Sequence, residues 1–455
     1  MQIVDNGKAC GSAHGLPPLR AVATAALLVT ALLAPAPAAA AAPPTFGACA
    51  HFMGEEHSGL MRSFHVLKAA GLDMVRLDFW WDSVEMKDGS WDFRCTDEVI
   101  AAARATGITI LPILDYSHPS HGMPDKDPGP WREYVRRIAE RYAADCPVFE
   151  VWNEENGGPF DPTNYFGVLK SAYEEIKAVA PNARVAIGGL VNNNPAPYID
   201  ALYALGGGRY FDIMNLHPYS DMRNNPEGLL DTVLEAQRAQ LKRLGDFDKP
   251  IWITEFGWST AERKPGFVPG KDNWRFQGGA DETTAALWTA RALGIAFAEG
   301  VEAVFHYELR SLEKDRFDRE SHFGLIRDNF TPMPAYLAYA AFVAMHPAGS
   351  THKDLNWRLP GRPGQALYFP QWTRPEGGDE RIHPLRSRDA GMIWTTGFEG
   401  VRHLKFGGAE VRFFDVYGKE LYPPRAEDGG YDVHVSGSPV YFVGATLEEP
   451  FSSIQ

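Results

Sequence analysis

Cysteine, basic charge and long apolar runs are all scarce in this 455-residue chain, and each scarcity excludes something. Four cysteines are too few for a disulfide scaffold. If Cys10 departs with a presequence, Cys49, Cys95 and Cys146 remain, an odd number that cannot pair fully within one chain. Cys95 would follow a second strand at one end of the fold and Cys146 would precede a fourth at the other, too far apart for disulfide geometry, so buried thiols are expected. Lys and Arg number 44 against 58 Asp and Glu, a formal charge of -14 that argues against nucleic acid or an anionic membrane surface as partner. No apolar run reaches the ~20 residues needed to span a bilayer. The run AVATAALLVTALLA at 21–34 follows Lys8 and Arg20 and leads into APAPAAAAAPP, so 1–42 reads as a secretory signal. An exported protein, periplasmic or extracellular and without a stable membrane anchor, is the expectation. No close His/Cys/Asp/Glu spacing marks a zinc site, and no metal or cofactor is assigned.

What the chain does have is a core. Hydrophobic residues make up 45% and aromatics 12%, enough to fill a large domain with a smaller one beside it. Strand-like runs recur at 46–52, 74–80, 108–114, 148–152, 184–189, 211–217, 250–254 and 302–308. Between them lie helical patterns such as WREYVRRIAERYA at 131–143 and TNYFGVLKSAYEEIKAVA at 163–180. Eight strands alternating with helices predict an α/β fold, a (β/α)8 TIM barrel, over 43–347. An open doubly wound sheet would want a glycine-rich phosphate loop after its first strand, and none is there. After FTPMPAYLAYAAFVAM at 330–345 the pattern shortens to alternating runs, as in VRFFDVYGKELY at 411–422 and YDVHVSGSPVYFVG at 431–444, which predicts a small β-sandwich over 348–455.

Two segments carry chemistry, VFEVWNEEN at 148–156 and PIWITEFGW at 250–258. Each is a β-branched and aromatic run ending in a carboxylate, so Glu154 and Glu255 both sit where a strand opens into a loop. Barrel strands converge there. Cleaving a glycosidic bond needs one carboxyl group to protonate the leaving oxygen and a second carboxylate across the anomeric carbon. Asn153 adds an amide that can donate to a sugar hydroxyl. Arg76, inside an apolar second strand, needs a partner and would keep Glu255 ionised. His217 and Tyr219, in NLHPYS, are placed to hydrogen-bond Glu255 as well. Tyr116, Trp258, Trp274 and Tyr307, with Trp80 and Trp81, could stack on the apolar faces of sugar rings. His51, His118 and His306 also fall at strand ends and could line the pocket or bind a metal, and His51 is counted among the substrate-binding or supporting residues.

In these residues the chain resembles clan A of the glycoside hydrolases, barrels with a WNE acid/base segment after strand four and a nucleophilic glutamate after strand seven. WDSVEMKDGSWDF at 81–93, the HPY segment, the FTPMPAYLAYAAF helix and the terminal β-module look most like family 39, particularly its bacterial exopolysaccharide-associated members. The resemblance implies retaining hydrolysis with Glu154 as acid/base and Glu255 as nucleophile, surrounded by Asn153, Arg76 and Tyr219. Glu155 stands where many relatives have proline, and FHYELR where many carry tryptophan at the end of strand eight. The resulting expectation is endo cleavage of a β-linked exopolysaccharide, with a polysaccharide or oligosaccharide as substrate. An exo-acting β-glycosidase such as a β-xylosidase is one alternative, and a non-catalytic carbohydrate-binding or assembly protein another.

Overall fold

The strand-like runs become a parallel sheet because both of their faces are apolar. A computed structural model describes residues 44–191, 194–219, 224–347, 349–353, 357–360, 365–375, 387–407 and 410–448. The stretch read as a secretory signal, 1–42, lies outside them. Among the described residues eight parallel strands form the barrel: β1 (Thr45–Cys49), β2 (Met74–Asp78), β3 (Thr109–Leu114), β4 (Val148–Val151), β5 (Arg184–Ile187), β6 (Met214–Leu216), β7 (Ile251–Phe256) and β8 (Ala303–His306). Their hydrogen-bonded order runs β5-β4-β3-β2-β1-β8-β7-β6. Closure between β5 and β6 is made by single parallel bridges, Ala186 to Ile213 and Leu190 to Leu216. Nearly every strand residue is buried, as expected of a sheet with packed side chains inside and helices outside.

Two layers of packing follow from strand alternation. Inside the barrel Cys49, Met74, Leu111, Val148, Ala186, Ile213, Trp252, Ala303 and Phe305 form a separate apolar cluster. Trp252 and Phe305 are its bulk, with ring centroids 6.0 Å apart. Gly47 makes room for them, since a Cβ there would collide with the Phe305 ring. The opposite strand faces pack against amphipathic helices such as Pro128–Tyr142 and Pro162–Val179, which start at the capping carboxylates Asp127 and Asp161 with proline in the first turn. No helix among the described residues is long and apolar enough to cross a membrane.

The barrel's last helix is Pro334–Met345, and the antiparallel region begins with Thr351–His352. That region contains an eight-stranded sheet and two short ladders, Gly400–Leu404 with Tyr431–Val435 and Phe406–Gly407 with Thr446–Leu447. Its own core, including Leu367, Ile393, Leu404, Phe413, Val435 and Phe442, lies between the layers as in a sandwich. It is fastened to the barrel by polar contacts as well as packing. Buried Glu227 accepts from Trp394 Nε1 at 2.7 Å and from the Arg291 guanidinium, while Trp372 Nε1 donates to Met345 O at 2.9 Å. The cysteine expectation needs one correction. Cys49, Cys95 and Cys146 are free, but only Cys49 and Cys146 are buried. Cys95 opens the helix Arg94–Thr106 on its solvent side.

Candidate active site

Glu154 and Glu255, the carboxylates singled out by sequence, sit at the C-terminal ends of barrel strands. There they line a cavity of about 460 Å³ bounded by His51, Arg76, Asp78, Tyr116, Asn153, Glu154, Tyr219, Glu255, Trp274, Tyr307, Glu320 and Phe323. Glu154 lies just past β4 on a backbone that takes positive φ at Trp152 (72°) and Glu154 (55°). Such values are costly for side-chain-bearing residues and persist only where surroundings enforce them. The Trp152 ring supplies that enforcement, packing against Tyr116, Trp131 and Phe160. Glu255 lies in β7, where the register against β8 shifts between Ile253 and Phe256. A bulge of this kind re-aims side chains, and here both Thr254 and Glu255 reach groups of the site.

The two glutamates differ sharply in environment. The Glu255 side chain is 10% exposed and that of Glu154 37%. Arg76 Nη1 donates to Glu255 Oε1 at 2.6 Å and the Tyr219 hydroxyl to Oε2 at 2.8 Å. Burial alone would push the Glu255 carboxyl up, but His217, the Arg76 charge and these two hydrogen bonds outweigh it and hold the group below the usual carboxylate range. His217 Nδ1 is 3.0 Å from Glu154 Oε1 and 3.7 Å from Glu255 Oε2. It therefore contacts Glu154 more closely than Glu255, the partner expected from sequence. One oxygen of each glutamate and this nitrogen all lie within 4.8 Å of one another.

Arg76 is the hub. Besides Glu255 it meets Glu150 through Nε to Oε2 and Nη2 to Oε1, both 2.8 Å, and donates to Asn153 Oδ1 at 2.7 Å. Glu150, fully buried in mid-β4, was missed by sequence reasoning, although a carboxylate inside VFEVW is itself the signal. A second group of acids was missed too. Asp78 ends β2, Asp115 follows β3, and Glu308 and Glu320 follow β8. His51 bridges this group, with Nδ1 3.6 Å from Asp78 and Nε2 3.5 Å from Glu308. Burial, then the negative charge of Glu320 and Glu255 opposing His51, pushes the Glu308 carboxyl up to about 7. Asp115 is driven well above the ordinary range by burial and by the negative charge of Asp78 beside it.

Other placements depart from expectation. Trp258 is buried rather than a sugar platform: it lies against Phe256 and Trp288, donates to Asn224 O at 3.1 Å, and lines no part of the main cavity. Trp81 is likewise core, stacked on Tyr134. His118 is buried with Nε2 2.9 Å from Glu85 O, and His306 is a core imidazole pushed down to about 3 by burial. Tyr116, Trp274 and Tyr307 do line the cavity, and Trp274 is 55% exposed. Glu155 turns away from it into a buried position beside Gly188, where a Cβ would strike its carboxylate. Burial pushes this carboxyl far above its ordinary range.

The model of the cellulase family, glycosyl hydrolase family 5, matches residues 38–292. The chain belongs to this family. It is a clan A retaining O-glycosyl hydrolase, and its architecture resembles family 39. A family 39 glycoside hydrolase from the gut symbiont Bacteroides cellulosilyticus superposes with a TM-score of 0.68 at 20% identity, over 89% of this chain and 81% of that one. A family 39 β-xylosidase from Caulobacter crescentus gives 0.58 at 16%, over 89% and 97%. The catalytic domain of a family 30 xylanase C from Talaromyces cellulolyticus gives 0.58 at 13%, also over 89% and 97%. At these identities the likeness is one of fold. No curated protein matches this clan A hydrolase.

Proposed function

We propose that Glu255 is the nucleophile and Glu154 the acid/base of a retaining β-glycosidase that cleaves an exported polysaccharide internally. The observation that carries the assignment is the pairing of an ionised, fully hydrogen-bonded Glu255 with a more open Glu154, their nearest oxygens within 4.8 Å. Retaining enzymes hold their carboxyl groups ~5 to 5.5 Å apart, whereas inverting ones leave ~6.5 to 9.5 Å for a water. Glu255 attacks the anomeric carbon as the glycosidic bond breaks, and Glu154 gives its proton to the departing oxygen. Glu154 then takes a proton from water, whose oxygen displaces Glu255 and frees the sugar with its original anomeric configuration. Arg76 and Tyr219 keep the nucleophile charged and aimed, and Asn153, itself held by Arg76, stands beside the reacting ring.

Internal cleavage is favoured by exposed aromatics on several barrel loops. Trp80 and Tyr116 follow β2 and β3, while Trp274 follows β7, and all three are substantially exposed. Sugars stacked on these loops would supply remote binding energy for distortion of the reacting ring. The names of the structural neighbours include both xylanase and β-xylosidase, so the exo alternative stands beside the endo one. Export rests on the 21–34 run and its flanks. Digestion of β-linked exopolysaccharides and plant β-glycans is the test, read by product size over time. An early ladder of oligosaccharides with falling viscosity is expected. Monosaccharide from the outset, without intermediate oligomers, would select the exo alternative.

A further inference from the structure

We propose that Thr254 and Asn215 are positioning residues that hold a proton on Nε2 of His217, obliging Nδ1 and the Glu154 carboxyl to share a single proton between them. The proposal rests on reading Glu154 as the acid/base. Its starting point is the backbone N–H of Thr254, which donates to Asn215 Oδ1 at 3.2 Å and so fixes which end of that amide faces β7. The orientation is imposed from outside, because it leaves Asn215 Nδ2 buried without a hydrogen-bond partner among the described residues. The Thr254 hydroxyl donates to the same Oδ1 at 2.8 Å. A hydroxyl has one proton to give. Its 2.9 Å contact with His217 Nε2 must therefore run the other way, with the ring donating.

Nδ1 then carries a hydrogen only when the imidazole is cationic. Without a proton between them, the Nδ1 lone pair and Glu154 Oε1 would face each other across 3.0 Å. One proton is accordingly retained in the contact, either as imidazolium with carboxylate or as imidazole with carboxylic acid. An unrestrained imidazole would behave differently. On losing the shared proton it would switch its remaining hydrogen to Nδ1 and donate to the Glu154 carboxylate, stabilising the deprotonated pair. By blocking that switch, Thr254 and Asn215 keep the proton available to the leaving group at higher pH. The ring is fully buried and lies against Gly189, where a Cβ would collide with it. The other charged group against it is Glu255 on β7, 3.7 Å from Nδ1, whose carboxylate is bonded in turn to Arg76 on β2 and to Tyr219, with Glu150 on β4 behind Arg76. None of these is altered by changing the Thr254 hydroxyl.

The test is the pH profile of kcat/KM on an aryl oligosaccharide with a poor leaving group, for the parent, Thr254→Val and Thr254→Ser. In Thr254→Val the alkaline limb should move down by about one pH unit, the size of one neutral hydrogen bond, with the acidic limb in place. Serine should restore the parent limb. An unmoved alkaline limb, or a uniform fall at every pH that serine does not rescue, overturns the proposal. A measurement that needs no variant enzyme turnover is 15N NMR of histidine-labelled parent protein above the pH at which the ring is neutral, with the His217 signals identified by their loss in His217→Gln. A hydrogen on Nε2 is expected, and one on Nδ1 overturns the proposal even if Thr254→Val fails to fold. Should Glu154→Ala prove insensitive to leaving group, the acid/base reading fails, while the tautomer result stands by itself.

Discussion

At the scale of single residues, the two glutamates are separated by solvent and partners more than by chemistry. Glu255 has fixed donors on both oxygens, and Glu154 meets the cavity with one edge open. Their alanine variants should consequently fail in different ways. With Glu255 as the proposed nucleophile, Glu255→Ala removes the group that would form the glycosyl-enzyme and should abolish turnover on every substrate. Glu154→Ala should lose ~10²- to 10⁴-fold where the leaving group needs protonation, far less on good aryl leaving groups, and should respond to azide in the second step. Equal losses on activated substrates without azide rescue would count against the assignment. Both glutamates, Asn153 and Arg76 were legible because a polar residue inside or just after a β-branched run demands a reason. Glu150 obeys the same logic and was overlooked, since the neighbouring WNE drew the argument past it. Trp258 erred in the opposite direction. A tryptophan two residues beyond a strand end looks exposed, yet the chain there turns under the loop that holds Asn224.

Strand order and spacing were readable at the scale of elements, while closure and register were not. Eight apolar runs with helical patterns between them leave few topologies open, because parallel crossovers are right-handed and short. The run at 211–217 shows the limit: only Met214–Leu216 form a strand, since its neighbour across the seam, β5, meets it through isolated bridges. Sequence periodicity reports which faces are apolar, not where a barrel seam lets go of its ladder. The bulge in β7 was equally hidden, as nothing in WITEF distinguishes a regular strand from a shifted one. Gly189 illustrates what an element end can decide. It follows β5 and lies against the His217 ring, so the Cβ of Gly189→Ala should displace the imidazole from both Thr254 and Glu154. With reacting groups misplaced by about 1 Å, kcat should fall on the order of 10²-fold while the circular dichroism spectrum stays that of the parent. Parent-like kcat would show that the ring can be accommodated elsewhere.

The whole molecule joins a barrel to a β-module, and the join contains a histidine pair. His346 Nε2 lies 2.9 Å from His352 Nε2, with Phe297, Phe342 and Trp372 packed around the rings. A hydrogen bond between two imidazoles needs one of them to stay an acceptor, so protonating both destroys it. Burial pushes His346 well below its ordinary value and His352 down to about 4. In the unfolded chain both would titrate near 6.5, the ordinary histidine value. Below that pH the unfolded state binds protons that the folded state refuses, so the stability these residues contribute is complete above about 6.5 and is lost as pH falls toward 4. At its steepest the loss is ~1.4 kcal/mol per pH unit for each histidine. Acidic partners elsewhere, Glu255 among them, add their own acid sensitivity, so the informative quantity is a difference. A His346→Phe/His352→Leu double variant keeps the junction apolar and cannot take up those protons. Its Tm should decline less steeply than the parent's between pH 6.5 and 4, with the two curves converging as the pH is lowered. Parallel curves across that window would mean that the pair is protonated in the folded state as readily as in the unfolded one, and that the junction between barrel and β-module is not where acid acts.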